Sequence, residues 1–213
     1  MTERNRSAGP RGQGRKRVRP ARGEGREALY KALVRIVARD GFDGVTFRSV
    51  AAEAGVTHGL ASYHFGTRES MIQEALTWAV RHSIEAAHLA PEGRRIDDFV
   101  TELPHAVTEN ADEAVFQFDL LLRALRSPAL RDEVRKSYDD YIATVAQSLR
   151  GFGIEGDVIA RLVFATIDGL TLQQLLYDDE QRTSDALTEL RRVLALLAAR
   201  GDDDNSSHPN GDR

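Results

Sequence analysis

Between Thr46 and Phe65 the sequence spells two short helical segments joined at one glycine, and this pair limits the folds open to the chain more than any other feature. Thr46 has the side chain of an N-cap, and behind it Phe47, Val50, Ala51 and Ala54 fall on one helical face. Gly55 permits the positive φ of a tight turn, Val56 is placed to fill the angle between the helices, and Thr57 caps the second. Ala51 and Ala54 are small, as a close crossing requires. This pattern predicts a helix-turn-helix, in which the second helix is slim enough for a DNA major groove while the first lies across the backbone.

Helical spacing continues on both sides. Leu29, Leu33, Ile36 and Val37 repeat at three and four and stop at Gly41, and no run alternates with period two for long. Breaks at Gly41/Gly44, Gly55, Gly66, Pro91/Gly93, Pro104, Pro128 and the Gly151 to Gly156 cluster divide the body into about nine helices. Gly169 sits inside an apolar run, where it costs about 1 kcal/mol relative to alanine, and it marks a close helix approach. The expected fold is all-α, with a small three-helix head at 24–70 carrying the helix-turn-helix and a larger helical domain at 71–200. Residues 1–23 and 201–213 have too little apolar content to offset the entropy of ordering, and are expected to be a disordered basic arm and a disordered acidic tail.

The net charge of −4 conceals a strong asymmetry. Residues 1–26 carry nine basic side chains against Glu3 and Glu24, a net of +7 that leaves −11 for the rest. One end is suited to a polyanion and the remainder to something else; a solvated tail would carry the same charge. The absence of cysteine excludes disulfides, thiolate metal sites and a cysteine nucleophile, and fits a cytoplasmic location. With no apolar leader in MTERNRSAGPRGQGRKRVRP and no charge-free run of eighteen apolar residues, neither export nor a membrane partner is expected.

From about residue 26 to 75 the segment resembles the N-terminal domain of the tetracycline-repressor (TetR) family of bacterial regulators. The likeness rests on an opening helix, Gly41-Phe, Thr46-Phe-Arg-Ser-Val-Ala-Ala-Glu-Ala-Gly-Val, Tyr63-His-Phe, and Thr67-Arg-Glu opening a long fourth helix. Residues 76–200 match only in helix count and length. Carried over by position, the resemblance implies phosphate contacts from Thr46, Thr57, Tyr63, His64 and Arg68. It implies base readout by His58, Gly59, Leu60 and Ser62, with Arg48 on either a base or a phosphate. Ala61 and Ser62 stand where a bulky apolar residue and an aromatic are commoner, so base preference does not carry over. The implied function is that of a DNA-binding transcriptional regulator, a repressor released from a palindromic operator by a small, largely apolar effector held in the larger domain; the alternative is an activator, or a regulator without a small-molecule ligand.

A long helix is expected from Thr67 to about Leu89, long enough to couple a pocket to the reading head. Residues 157–177 and 185–199 are apolar on more than one face, which predicts a homodimer through residues 157–199, built as an intermolecular four-helix bundle. Trp78, Phe99, Phe116, Phe118, Tyr138, Tyr141 and Phe164 are candidates to line a pocket for a small, largely apolar effector. Asp119 and Asp168 lie among apolar residues, where a carboxylate needs a protein partner or a polar ligand group. Two Glu-x-x-His pairs, Glu85/His88 and Glu102/His105, have the spacing of carboxylate metal enzymes. A hairpin at Pro91 to Gly93 would leave their imidazoles offset by some 13 Å, and two further helical Glu ligands are not evident. No enzyme activity, cofactor or metal is therefore expected.

Overall fold

The computed structural model describes residues 24–90 and 95–206, and these form nine α-helices and two short 3-10 turns, with no strand among the described residues. Helix α1 (Glu24–Asp40) buries Leu29, Leu33, Ile36 and Val37 and gives way to Gly41 at φ +70° and a 3-10 turn, Phe42–Gly44. Helix α2 (Phe47–Glu53) opens with a reciprocal cap: the Thr46 hydroxyl accepts from the Ser49 amide at 3.0 Å, and the Ser49 hydroxyl accepts from the Thr46 amide at 2.9 Å. Gly55, at φ +69°, turns the chain into α3 (His58–Phe65), and Val56 is buried in the angle, as its position predicts. Helix α4 (Arg68–Ala86) is capped by Thr67 and ends earlier than expected. Its 19 residues still span about 28 Å.

The body comprises α5 (Leu103–Glu109), α6 (Ala111–Ala124), α7 (Pro128–Gly151), α8 (Asp157–Tyr177) and α9 (Glu180–Ser206). Pro104 and Pro128 fall in the first turns of α5 and α7, where a missing amide hydrogen costs nothing, so both breaks are helix starts. Helix α9 continues to Ser206, six residues past the expected end of the domain. The basic arm (1–23), the hairpin at Pro91 to Gly93 and residues 207–213 of the tail lie outside the described residues. His88 lies beyond α4 with φ +49°, so Glu85 and His88 do not share a helical face.

Head and body share one continuous core, because α1 packs along α6 as well as against α2 and α4. Phe42 and Phe116 meet there with ring centroids 5.8 Å apart. The Arg123 guanidinium lies 4.8 Å from the centre of the Phe42 ring and 3.7 Å from the exposed Asp43 carboxylate. The reading head is therefore seated on α6 as well as carried by α4.

Candidate DNA-binding face and effector cavity

The outer side of α3 is built by its caps and by what it buries. Ala61 and Phe65 face the core and Leu60 packs partly against it, so Thr57, His58, Gly59 and Tyr63 are turned outward. The Thr57 hydroxyl accepts from the Leu60 amide at 3.3 Å, which leaves its own hydrogen to donate. Tyr63 is 85% exposed, with its ring edge-on to His64 at 5.8 Å. The Ser62 hydroxyl donates back to the His58 carbonyl at 3.1 Å, which turns its lone pairs into acceptors for an incoming donor. Arg48 and Thr46 are exposed on α2 and its cap, beside α3. No carboxylate lies on α3, and Glu53 on α2 is paired with Arg35 at 3.1 Å, which holds its carboxyl below the usual range.

Arg68 is placed differently from the rest. Its Nε donates to the Val45 carbonyl at 2.9 Å and its Nη2 to the Phe42 carbonyl, tying the start of α4 to the turn before α2. Two of its three nitrogens are thus committed within the head.

In the body, α4 to α8 enclose a cavity of about 100 Å³. Tyr141 stacks on Phe164 with centroids 5.3 Å apart and 16° between planes, and Tyr138 meets Phe164 edge-on at 5.3 Å. The Tyr141 hydroxyl donates to Gln117 Oε1 at 2.9 Å, and Gln117 Nε2 donates to the Ser83 hydroxyl at 3.0 Å. Burial pushes the Tyr141 phenol up to about 12. Asp168 receives the Tyr138 hydroxyl at 3.2 Å; burial raises its carboxyl pKa and that hydrogen bond partly offsets the rise.

The chain matches the model for bacterial regulatory proteins of the tetR family over residues 29–75, and that for the tetracyclin repressor-like C-terminal domain over residues 92–196. A member of the TetR family from Streptomyces coelicolor A3 is 30% identical, with 78% of this chain and 98% of that one covered at a TM-score of 0.59. It belongs to the TetR family of bacterial transcriptional regulators. The multidrug binding protein EbrR, solved in complex with ethidium, is 29% identical over 78% of this chain and 98% of that one, at a TM-score of 0.56. The nicotine-responsive transcriptional repressor HdnoR of Paenarthrobacter nicotinovorans is 23% identical over 179 residues, 78% of this chain and 91% of its own.

Five of the nine side chains proposed from sequence for the effector site of this TetR-family regulator meet at one place: Phe118, Tyr138, Tyr141, Phe164 and Asp168 line the cavity. The other four do not. Phe116 is fully buried against the head, and Phe99 is fully buried against Phe152 with centroids 5.7 Å apart. Trp78 is stacked between Tyr30 and His82 beside a separate surface groove between α1, α4 and α6. Asp119 lies 3.9 Å from Arg123, at the head junction. An aromatic on a helical stripe is equally at home in core or cavity wall, and only the superposition of five helices separates the two. Gln117 and Asn110 also line the cavity and were not picked out from sequence. The available signal was an amide at 117 set between Phe116 and Phe118 in an apolar run.

Proposed function

We propose that this regulator is a homodimeric repressor that reads a palindromic operator through α3 and is released when a small, largely apolar effector occupies the cavity. The observation that carries it is the outer side of α3, where Thr57, His58 and Tyr63 stand free of the core on a helix without a carboxylate. Hydroxyl and ring N–H donors of this kind suit phosphate oxygens, and the exposed Arg48 adds a cation. Thr46, Thr57, Tyr63 and His64 take the phosphate contacts, and His58, Gly59 and Ser62 the base edges. Leu60 and Arg68 contribute chiefly to holding the head together, since both are engaged there.

The second copy covers α8. Val158, Leu162, Leu172 and Leu176 are exposed on that helix, Val193 and Leu196 on α9. Their spacing on α8 makes a stripe down one side, opposite the buried Ala160, Val163 and Ile167. A stripe of this kind buries itself against its own copy about a two-fold axis, which sets the half-sites one or more helical turns apart, roughly 34–36 Å per turn. The ethidium complex of EbrR and the nicotine response of HdnoR support an effector role for the cavity and a repressor reading. Action on chromosomal DNA places the protein in the cytoplasm.

Selection of binding sites from random duplex DNA tests the reading. Enrichment of a palindrome, with affinity reduced in Tyr63→Phe, is expected; recovery of no sequence or of a single asymmetric half-site would overturn it.

A further inference from the structure

The cavity wall contains one charged side chain among the described residues, Asp168, and no lysine, arginine or histidine. Of the other polar side chains in the wall, Tyr141, Gln117 and Ser83 are joined in one chain of hydrogen bonds, while Asn110 and Thr171 donate to the carbonyls of Ala106 and Ile167. Asp168 is half-buried and has only the neutral Tyr138 hydroxyl, on one of its two oxygens; the other oxygen is open to water, and no ion pair among the described residues reaches the carboxylate. A carboxylate in largely apolar surroundings with a single neutral donor becomes under-compensated once a bound ligand excludes water from it, and a positive charge within about 4–6 Å is what restores the balance. The neighbouring surfaces match such a charge. Tyr138, Tyr141 and Phe164 are packed together in the same wall, and an aromatic ring attracts a cation within about 6 Å of its centroid.

We infer that the cavity is a binding site for an amphiphilic monocation, with an apolar or aromatic body on Tyr141 and Phe164 and one ammonium-type centre against Asp168. The inference rests on the effector reading only in the choice of cavity. It assigns the charge of the ligand. A neutral ligand would leave the carboxylate uncompensated, and an anion would place a second negative charge beside it.

The experiment compares benzyltrimethylammonium with neopentylbenzene, in which carbon replaces the nitrogen at nearly unchanged shape, by calorimetric titration of the full-length, DNA-free protein. The cation is expected to bind the wild type at least about tenfold more tightly than the hydrocarbon. Asp168→Asn is expected to abolish that preference while leaving the hydrocarbon's affinity within about twofold, and Asp168→Glu to keep it. Equal affinities, a preference for the hydrocarbon, an undiminished preference in Asp168→Asn, or no cation binding below about 1 mM would each overturn the inference. The comparison of wild type with the two probes stands even if a variant fails to fold. Operator binding, measured separately, distinguishes the two readings. Release of DNA by the hydrocarbon would overturn the charge assignment and keep the regulator, whereas Asp168-dependent cation binding without effect on DNA would do the reverse.

Discussion

Burial holds the Asp168 carboxyl above its ordinary range, so the folded protein takes up its proton more readily than the unfolded chain does. The corresponding stability is fully present below the unfolded pKa and is lost as pH rises through the raised folded value. Asp168→Asn cannot ionise and keeps an acceptor for Tyr138; it is expected to melt above the wild type at about pH 7.5 and to converge with it near about pH 4 in thermal denaturation. A gap that widened on acidification would contradict this. Arg68 behaves as a brace, because its guanidinium holds the carbonyls of Val45 and Phe42. Arg68→Ala is expected to cost about 1–3 kcal/mol in denaturant unfolding, since hydrogen bonds from a charged group are lost. The slope of log K against log salt for operator binding should stay the same; a slope lower by about 0.9 with unchanged stability would make Arg68 a phosphate contact instead. This distinction was not legible in the sequence. Cap spacing identified Thr46, Thr57 and Thr67, whose partners lie three residues away, whereas the partners of Arg68 lie 23 and 26 residues away.

Among the helices, α2 and α3 were legible because every constraint on them is local: a cap, a glycine of positive φ, a plug and two small residues at the crossing. Helix α8 was legible in a different way, through an apolar period too wide for one protomer to bury, with Val163 and Ile167 inside and Leu162 63% exposed. What the sequence left open was the partner at Gly169, read there as a close helix approach. Within the protomer a Cβ at 169 would meet nothing within 4 Å, so the expected close approach is not made there; Gly169 instead lies on the side of α8 that the proposed dimer would cover. Leu162→Glu is expected to convert the dimer to monomer in sedimentation velocity while leaving the helical circular dichroism intact. Gly169→Leu is expected to improve the helix's own propensity by up to about 1 kcal/mol and yet weaken dimerisation, because the added side chain holds the two copies of α8 apart. Dimers of wild-type affinity in both variants would remove α8 from the interface.

In the whole molecule, α6 has two opposed duties. Its N-cap Asn110 with Ala114 and Gln117 lines the cavity on one side, while Phe116, Leu120 and Ala124 are buried in the core that α1 and the 3-10 turn share with it on the other. Helix α4 also reaches both places, with Ser83 and Ala86 in the cavity wall and Met71 and Ile72 buried near the head. Only the coupling through the long helix is legible in the sequence, because a helix between two domains is visible as a run of residues, whereas contact between α1 and α6 joins segments some 80 residues apart in the chain. Two routes make a testable difference. A ligand that moves α6 shifts the seat of Phe42, and with it the angle of the head, even where α4 is held in place. Phe116→Leu removes the aromatic contact with Phe42 at a cost of about 1 kcal/mol and touches neither the cavity nor α3. It is expected to leave operator affinity without ligand, and benzyltrimethylammonium affinity without operator, near wild-type values, while shrinking the factor by which each weakens the other. That factor is typically about 5 to 150 and must be the same whether read from DNA binding or from ligand binding. A folded Phe116→Leu protein whose coupling factor matches the wild type in both titrations would assign the transmission to α4 and leave α6 as a passive floor.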